Sequence, residues 1–288
     1  MAAASSRPEL LVIVGETASG KSDLALKAAK AYGGEIIAAD SWTVYRGFDI
    51  GTGKPGQADR KAVKHHLIDV RAPTDGFNAT MFKELAEKAI KNIQKRGKLP
   101  ILVGGTGLYI DSVLHDFGFL PDSGEREELN AMTLDELTAL AKSRKIDLTD
   151  IDTRNKRRLI RAIEAGGQKP TKAGLRPGTL IIGLKLDNEE LRKRVEQRTD
   201  KMLAAGLEHE VKDLSEKYGW DIEPMKGIGY REWHDYFEGA QTLEQTRQRI
   251  ISATMNLAKR QRTWFKRSPD IVWFNSGQNA NAFLTKVL

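Results

Sequence analysis

The sequence of 288 residues contains no cysteine. Without thiols the chain can form neither disulfides nor thiolate metal sites, which excludes the disulfide-rich secreted domains. The same absence fits a protein that is kept in a reducing cytoplasm. Because 40% of the residues are hydrophobic, the chain is long enough and apolar enough to bury a proper core.

Long apolar runs are also missing. No segment approaches the ~20 apolar residues that a membrane-spanning helix needs. Residues 1–9 contain a single arginine and no hydrophobic region typical of a signal peptide. We therefore expect a soluble, cytoplasmic protein with no membrane partner, and no segment points to an obligatory protein partner.

A local absence concerns acidic residues, since residues 245–269 contain no aspartate or glutamate. This segment contains only cations among its charged residues: Arg247, Arg249, Lys259, Arg260, Arg262, Lys266 and Arg267. Apolar positions recur there at spacings of three and four, which predicts a helix with one packed face and a basic remainder. A second basic cluster consists of Arg154, Lys156, Arg157, Arg158 and Arg161. With a formal net charge of +7, the two segments favour contact with a phosphate backbone over a merely basic surface.

The most specific motif follows an apolar run at residues 10–14. Residues 15–22 read GETASGKS and match the phosphate-binding pattern G-x-x-x-x-G-K-S between a strand and a helix. In such a loop, backbone N–H groups surround phosphate oxygens, the lysine adds a positive charge, and the serine can ligate Mg²⁺. The candidate phosphate-binding residues are Gly15, Thr17, Ala18, Ser19, Gly20, Lys21 and Ser22, with Ser22 as the candidate metal ligand. The motif does not decide whether the phosphate is transferred or leaves.

Strand and helix patterns alternate along most of the chain. Strand candidates lie at residues 10–14, 35–39, 66–70, 99–104, 180–186 and 271–274. This alternation predicts an α/β fold with a P-loop NTPase-like parallel sheet covered by helices. We expect residues 8–114 and 153–276 to form this core, with basic C-terminal helices. Residues 115–152 lack a strand pattern and are expected to form a small helical insert on the RNA side.

Polar residues follow two further strands, and ligands of parallel sheets bind beyond such carboxyl ends. Asp40 follows the strand candidate at residues 35–39, and Thr106 follows the one at residues 99–104. Asp40 is a helix cap, an Mg²⁺ ligand or a general base. Thr106 is an N-cap or a hydroxyl directed at a phosphate. We expect both residues to converge with the phosphate-binding loop.

Arg198 interrupts the apolar stripe of a predicted helix at residues 189–205. Leu191, Val195 and Met202 form the rest of that stripe. A cation on this face needs an anionic partner, because burying it unpaired would cost several kcal/mol. The partner is either a core carboxylate or the bound phosphate, and we favour the phosphate.

These residues, together with several further blocks, resemble the family of bacterial-type tRNA dimethylallyltransferases, also called tRNA isopentenyltransferases. The matching blocks are residues 15–22, 35–41, 44–55, 65–70, 103–109, 227–232 and 258–264. They span most of the chain in order. The resemblance implies transfer of a dimethylallyl group from dimethylallyl diphosphate to N6 of the adenosine immediately 3′ of the anticodon in tRNA, with release of diphosphate.

The resemblance also implies roles for particular residues. The phosphate-binding loop would hold the diphosphate with Mg²⁺, Asp40 would accept the N6 proton, and Thr106 and Arg198 would stabilise the leaving group as catalytic residues. The adenosine would have to leave its base stack to reach them. The implied tRNA-binding residues are Asp40, Ser41, Trp42, Thr43, Thr106, Arg126, Arg157, Arg158, Leu159, Ile160, Arg161, Lys226, Gly227, Ile228, Gly229, Tyr230, Arg231, Lys259, Arg260, Gln261, Arg262 and Lys266.

Some positions depart from the family pattern. Glu16 stands where many members have proline, which adds a negative charge beside the diphosphate site. Trp42 and Thr43 replace a common Met-Gln pair, and the insert is shorter than is usual in the family. A P-loop kinase of a nucleotide or small metabolite is the alternative function, since it shares the loop and the sheet. An RNA-binding switch without catalysis would share the basic segments.

Overall fold

The computed structural model describes residues 7–120, 124–149 and 151–288. Within these residues one six-stranded sheet has the order β3-β2-β4-β1-β5-β6, and every paired neighbour is parallel. The strands are β1 (Leu10–Gly15), β2 (Gly34–Ala39), β3 (His65–His66), β4 (Leu99–Gly104), β5 (Thr179–Leu184) and β6 (Ile271–Phe274). The predicted α/β fold with a parallel sheet is confirmed.

Helices connect most of these strands. Those of the described residues are α1 (Lys21–Tyr32), α2 (Gln57–Ala62), α3 (Ala79–Lys95), α4 (Gly107–Leu114), α5 (Arg126–Ala131), α6 (Leu134–Ser143), α7 (Lys156–Glu164), α8 (Asn188–Ala204), α9 (Leu207–Tyr218), α10 (His234–Phe237), α11 (Leu243–Phe265) and α12 (Gly277–Val287). Single 3₁₀ turns occur at Glu223–Lys226 and Arg231–Trp233. In the part of the chain that the structure describes, no helix has the length and apolar character needed to cross a membrane.

The side chains of β1 are buried on both faces of the sheet. Val12 and Val14 pack in a cluster with α3 and α4, whereas Leu11 and Ile13 pack on the opposite face with α1 and α12. Because both faces of the sheet are covered, the sequence of β1 is continuously apolar and does not alternate between apolar and polar residues. This burial fixes the strand that leads into the phosphate-binding loop.

The predicted strand at residues 66–70 is wrong in its extent. The strand β3 ends at His66, because Leu67 and Asp69 adopt left-handed φ angles of 63° and 58°. The carboxylate of Asp69 accepts hydrogen bonds from Lys54 Nζ at 2.6 Å and from Arg60 Nη1 at 2.7 Å. The chain after β3 therefore forms a turn that anchors Lys54.

The chain divides into two compact units: a larger one from Met1–Leu114 and Leu175–Leu288, of which residues 1–6 are not described, and a smaller one from His115–Gly174. We predicted that the insert ends at residue 152, and this boundary is wrong. The helix α7 packs with α5 and α6 around Leu129, Leu137 and Ile163, so residues 153–174 belong to the smaller unit. The second basic cluster therefore lies in the smaller unit, and the larger one extends through α12 beyond residue 276.

Glu35, near the amino end of β2, is a buried charge with three partners. Its side chain is 3% exposed and accepts hydrogen bonds from His66 Nε2 at 2.7 Å, Arg96 Nη2 at 2.7 Å and Lys98 Nζ at 3.0 Å. Burial alone would raise the pKa of Glu35, but hydrogen bonds from His66, Lys98 and Arg96 outweigh it and lower the pKa to about 2. This cluster lies at the opposite end of β2 from Asp40.

We expect Glu35→Gln to lower the free energy of unfolding by about 2–3 kcal/mol near pH 7, because charged hydrogen bonds are lost around a buried group. The folded-state pKa of about 2 lies below the ordinary glutamate value of 4.5, so the ionised carboxylate stabilises the fold above about pH 4.5. This contribution is lost as the pH falls toward 2. Urea unfolding of both proteins at about pH 7 and about pH 3 measures the difference, and a difference of equal size at both pH values would contradict the assignment.

Candidate active site

The carboxyl ends of three strands lie at the same level of the sheet. Gly104 of β4 pairs with Val14 of β1 on one side and with Ala39 of β2 on the other. The segments that follow these strands are therefore neighbours at the edge where parallel α/β sheets bind ligands. The sheet register thus brings the phosphate-binding loop next to Asp40, as predicted.

The phosphate-binding loop turns sharply between β1 and α1. Ala18 and Gly20 have left-handed φ angles of 68° and 89°, and Gly15 has a φ of 155°. A Cβ atom on Gly15 would lie 2.7 Å from the carbonyl oxygen of Leu184, so no larger residue fits there without a shift. The resulting backbone conformation directs the loop and the amino end of α1 toward the same space.

A cavity of about 400 Å³ opens beside this loop. Its polar lining includes Thr17, Lys21, Ser22, Asp40 and Arg198, and its apolar lining includes Ala38, Ile68, Val103, Ile228 and Leu257. The cavity therefore offers cations, a carboxylate and apolar surface to one ligand. This combination suits a molecule that has both a polyanionic and a hydrocarbon part.

Lys21 reaches back across the loop, and its Nζ donates a hydrogen bond to the backbone carbonyl of Glu16 at 3.1 Å. Burial, together with the nearby charge of Arg198, lowers the pKa of Lys21 to about 8, against the opposing effect of Asp40 and Glu16. Lys21 and Arg198 thus repel each other in the free protein. A bound anion would relieve this repulsion.

Arg198 lies on the packed face of α8 with Leu191 and Val195, as the helical spacing predicts. Its Nη2 donates to the backbone carbonyl of Thr52 at 3.2 Å. Among the described residues, no carboxylate lies close enough to form an ion pair with Arg198. Burial lowers the pKa of Arg198, and the more distant charge of Asp40 opposes this shift. The core-carboxylate alternative is therefore wrong, and the guanidinium retains donors for a ligand.

Asp40 occupies the turn after β2. Its Oδ1 accepts hydrogen bonds from the backbone N–H groups of Trp42 at 2.8 Å and Thr43 at 3.4 Å, which fixes the carboxylate in the cavity wall. The residues after Asp40 form turns, and the next helix begins at Gln57. The helix-cap alternative for Asp40 is therefore wrong, whereas the metal-ligand and general-base alternatives both remain compatible with its position.

Thr106 directly precedes α4. Its backbone N–H donates to the carbonyl of Ala39 at 3.3 Å, and its own carbonyl accepts from Tyr109 and Ile110 at 3.0 and 3.2 Å. Thr106 is not among the residues that line the cavity. Its observed position is that of a residue starting a helix, and the catalytic role implied for it stays a prediction.

The loop at residues 49–54 contributes to the cavity, although we predicted no role for it. Gly51, Thr52, Gly53 and Lys54 line the cavity. Glu210 on α9 holds this loop, because its carboxylate accepts from the backbone N–H groups of Ile50 at 2.8 Å and Gly51 at 3.0 Å. The hydroxyl of Tyr230 donates to the same carboxylate at 2.7 Å. No motif marks Glu210, so the sequence offered no signal for it.

Several residues that we predicted to bind tRNA are buried away from any surface: Leu159, Ile160, Tyr230 and Gln261. Leu159 and Ile160 belong to the core of the smaller unit. Burial, with the adjacent charge of Glu210, raises the pKa of Tyr230 far above its usual range. These four side chains support their segments from within, and the tRNA-binding role of the segments stays a prediction.

The remaining predicted tRNA-binding residues fall into three groups. Exposed cations are Arg157, Arg158, Lys226, Arg231, Lys259, Arg260 and Lys266, and the partly exposed Ser41 precedes Trp42. Residues that line the cavity are Asp40, Trp42, Thr43, Ile228 and Gly229, and Gly227 packs against the Trp42 ring. In the smaller unit, Arg126 and Arg161 both donate to the buried carboxylate of Glu164. The last two arginines therefore already have an anionic partner.

The acid-free segment carries fewer free cations than its sequence suggests. Three of its arginines form ion pairs with acids from other elements: Arg247 with Asp200, Arg249 with Asp235, and Arg262 with Glu16. The prediction that Arg262 belongs to the exposed basic surface is thereby corrected. Within the described ranges, no ion pair involves the four cations that we call the exposed basic face: Lys259, Arg260, Lys266 and Arg267.

Comparison with known sequences identifies close relatives. The sequence model of a family described as IPP transferase matches residues 43–268. A tRNA dimethylallyltransferase from Pediococcus pentosaceus is 42% identical over 288 residues, which cover 94% of this chain and 92% of the relative. A tRNA dimethylallyltransferase from Bacillus cytotoxicus is 38% identical over 287 residues, which cover 93% of this chain and 90% of the relative.

Solved structures give the same result. The tRNA isopentenylpyrophosphate transferase from Bacillus halodurans matches with a TM-score of 0.75 and 35% identity, and the match covers 96% of each chain. A eukaryotic dimethylallyltransferase, described as acting on tRNA, matches with a TM-score of 0.78 and 27% identity over 96% of this chain and 79% of the other. The similarity therefore includes the segments that form the cavity.

We expect the contribution of Lys21 to diphosphate affinity to decrease as the pH rises through about 8, the pKa of this lysine in the free protein. A bound polyanion favours the charged ammonium group, so binding above that pH also requires proton uptake. Titration calorimetry with inorganic diphosphate should compare the native protein with Lys21→Ala from about pH 7 to about pH 9.5. The ratio of the two affinities cancels the titration of diphosphate itself, and a ratio that is constant with pH would exclude Lys21 as the titrating group.

Proposed function

The chain belongs to the IPP transferase family, and on this premise we propose that it transfers a dimethylallyl group from dimethylallyl diphosphate to N6 of the adenosine immediately 3′ of the anticodon in tRNA. It is a prenyltransferase, like the tRNA dimethylallyltransferases to which it is similar over most of its length. The observation that carries the detailed proposal is the cavity in which Lys21, Arg198 and Asp40 meet apolar side chains. An allylic diphosphate combines the two chemical characters of this lining.

The two cations of the cavity act on the leaving group. As the bond between C1 of the dimethylallyl group and the diphosphate oxygen breaks, negative charge accumulates on the diphosphate. Lys21 and Arg198 line the cavity without carboxylate ion pairs in the described part of the chain, so their charges are available to this developing anion. Charges that are fixed before the reaction stabilise such an anion without reorganisation.

Asp40 is the proposed base. The exocyclic amine of adenine is a poor nucleophile, because its lone pair is delocalised into the purine. The C1–N6 bond forms as the C1–O bond breaks, and Asp40 takes the proton that the new secondary amine must lose. Both hydrogen bonds to Asp40 from the described residues end on Oδ1. Oδ2 is therefore available to accept the proton from the amine.

We also propose Mg²⁺ as the cofactor. Ser22 and Asp40 bring a hydroxyl and a carboxylate to the lining of one cavity, and hard oxygen donors of this kind fit Mg²⁺. Ser22 would hold the ion, with diphosphate oxygens as further ligands. When bound, Mg²⁺ would neutralise part of the charge on the diphosphate. Lys21 and Arg198 contribute positive charge to the diphosphate site whether or not Mg²⁺ is bound.

The exposed basic face, which consists of Lys259 and Arg260 on α11 and of Lys266 and Arg267 just after it, is the proposed contact for the RNA backbone. Its four cations have no acidic partner in the described chain, so each can neutralise a phosphate. Lys226 and Arg231 lie on either side of Ile228 and Gly229, which line the cavity. A flipped adenosine and its neighbouring phosphates could thus be bound together. The cytoplasmic location remains a prediction.

The kinase alternative is not favoured. Its loop and sheet are present, but the relatives are prenyltransferases at 38 to 42% identity over more than nine-tenths of the chain. A direct test incubates the purified protein with tRNA and dimethylallyl diphosphate, followed by mass spectrometry of the tRNA nucleosides. We expect an adenosine heavier by one prenyl group, whereas phosphorylation of small acceptors with ATP would support the kinase.

We expect Asp40→Asn to slow the prenyl-transfer step by about 10²- to 10⁴-fold, the range typical of a lost general base, while tRNA and donor still bind. Single-turnover rates at saturating tRNA should be measured across a series of Mg²⁺ concentrations, with binding of each substrate as the control. If Asp40 were mainly a metal ligand, high Mg²⁺ would restore much of the rate, and donor affinity would fall in the variant. Full activity of Asp40→Asn would remove Asp40 from the mechanism.

We expect neutralisation of Lys259 and Arg260 to weaken the salt dependence of tRNA binding. Each cation that contacts a phosphate contributes about 0.7–0.9 to the slope of log K against log salt, so the double alanine variant should lose about 1.4–1.8 from the slope. A matched control replaces Lys91 and Lys95 by alanine. Both lysines are exposed on α3, and their replacement removes the same net charge. Equal changes of slope in the two variants would contradict a specific contact at the exposed basic face.

A further inference from the structure

Glu16 is a carboxylate at the second position of the phosphate-binding loop, where it should repel a bound diphosphate. Its side chain is 2% exposed and does not line the cavity. Arg262 on α11 donates two hydrogen bonds to this carboxylate, one from Nε to Oε1 and one from Nη2 to Oε2 at 3.0 Å. The two residues are 246 positions apart in the sequence. A bidentate pair of this kind fixes both the orientation and the charge of its carboxylate.

Arg262 also binds two groups near the end of β5. Its Nη2 donates to the backbone carbonyl of Leu186 at 3.0 Å, and its Nη1 donates to Asn188 Oδ1 at 2.7 Å. All three guanidinium nitrogens therefore have partners, and the group joins α11, the phosphate-binding loop and the start of α8. Four of the five N–H donors of Arg262 are used in this arrangement, so only one Nη1 N–H is left for a further acceptor.

Gln261, which precedes Arg262 on α11, is bonded to Thr17, which follows Glu16 in the phosphate-binding loop. Gln261 is 8% exposed, and its Oε1 accepts from the backbone N–H of Thr17 at 2.8 Å and from Thr17 Oγ1 at 3.2 Å. Two consecutive residues of α11 thus hold two consecutive residues of the loop. On the same helix, Lys259 and Arg260 are exposed in the basic face.

We propose that Arg262 is a positioning residue that holds the Glu16 carboxylate away from the diphosphate site and so keeps the phosphate-binding loop able to accept its anion. The proposal rests on the proposed function, in which this loop binds the diphosphate of the donor. It assigns Arg262 to the donor side of the reaction and not to tRNA. The charge that Glu16 adds to the loop is tolerated because Arg262 neutralises it in place.

Substitution of Arg262 and substitution of Glu16 should have different effects on diphosphate affinity. Arg262→Ala leaves a buried, unpaired carboxylate that can turn toward the anion site, so diphosphate affinity should fall about tenfold or more. Glu16→Ala removes the repelling charge, and diphosphate affinity should stay within about threefold of the native value. The double variant, Glu16→Ala with Arg262→Ala, should recover most of the affinity that Arg262→Ala alone loses. Because removal of Glu16 can also restore the stability of the fold, all variants are compared at a temperature at which thermal unfolding shows each of them to be folded.

Titration calorimetry with inorganic diphosphate at fixed Mg²⁺ measures these affinities without tRNA or turnover. Arg192→Ala is the matched control, because Arg192 forms an exposed ion pair with Glu196 on α8; its diphosphate affinity should equal that of the native protein. Arg262→Gln provides the same comparison if Arg262→Ala does not fold. In turnover assays, Arg262→Ala should raise KM for dimethylallyl diphosphate far more than KM for tRNA.

Two outcomes would overturn the proposal. The first is unchanged diphosphate affinity in Arg262→Ala and Arg262→Gln, with a weaker tRNA affinity that Glu16→Ala does not restore; Arg262 would then contact RNA. The second is a loss of diphosphate affinity that persists in the double variant. Failure of the proposed function gives a different result, because the native protein would then bind diphosphate but leave tRNA unmodified.

Discussion

Two cations, Lys21 and Arg198, line one cavity and form no carboxylate ion pair within the described part of the chain. Lys21 and Arg198 are bonded to the backbone carbonyls of Glu16 and Thr52, which orient their side chains but do not cancel their charges. Burial, with the charge of Arg198 as a second cause, lowers the pKa of Lys21. The free protein is therefore electrostatically strained at this point, and a diphosphate is the kind of ligand that removes the strain. In the proposed reaction the two cations are in place before the ligand, so little reorganisation would oppose the departure of diphosphate from carbon.

The rest of the large unit serves to hold these two charges and Asp40 at one place. The paired register of β1, β2 and β4 sets the phosphate-binding loop beside Asp40. The helix α8 carries Arg198, and the loop at residues 49–54 meets it so closely that a Cβ on Gly53 would lie 2.2 Å from the guanidinium. Glu210 anchors that loop through its backbone N–H groups. A loop without regular structure thereby gains a fixed position through one partly buried carboxylate.

Local features of the site could be predicted from sequence, and long-range contacts could not. The phosphate-binding loop and Asp40 follow apolar strands directly, so short-range patterns locate them, and helical spacing placed Arg198 on a packed face. The pairing of Arg262 with Glu16 and the anchoring of the loop by Glu210 depend on how distant elements pack, which no spacing rule encodes. The same limit explains the wrong boundary at residue 152, because only packing shows that α7 joins α5 and α6. The early end of β3 depends on two left-handed residues that are not glycine.

The helix α11 both contacts the phosphate-binding loop and exposes basic residues, whereas the sequence suggested only the second feature. Its acid-free segment suggested a single RNA-binding surface, but Gln261 and Arg262 face the phosphate-binding loop while Lys259 and Arg260 face outward. If α11 contacts both substrates, as proposed, displacement of this helix by one substrate also affects binding of the other. Thermodynamic linkage requires that any factor by which tRNA changes donor affinity also applies to the effect of donor on tRNA affinity. The bonds from Gln261 and Arg262 of α11 to Thr17 and Glu16 are a physical connection through which such a factor would act, since they join the helix directly to the phosphate-binding loop.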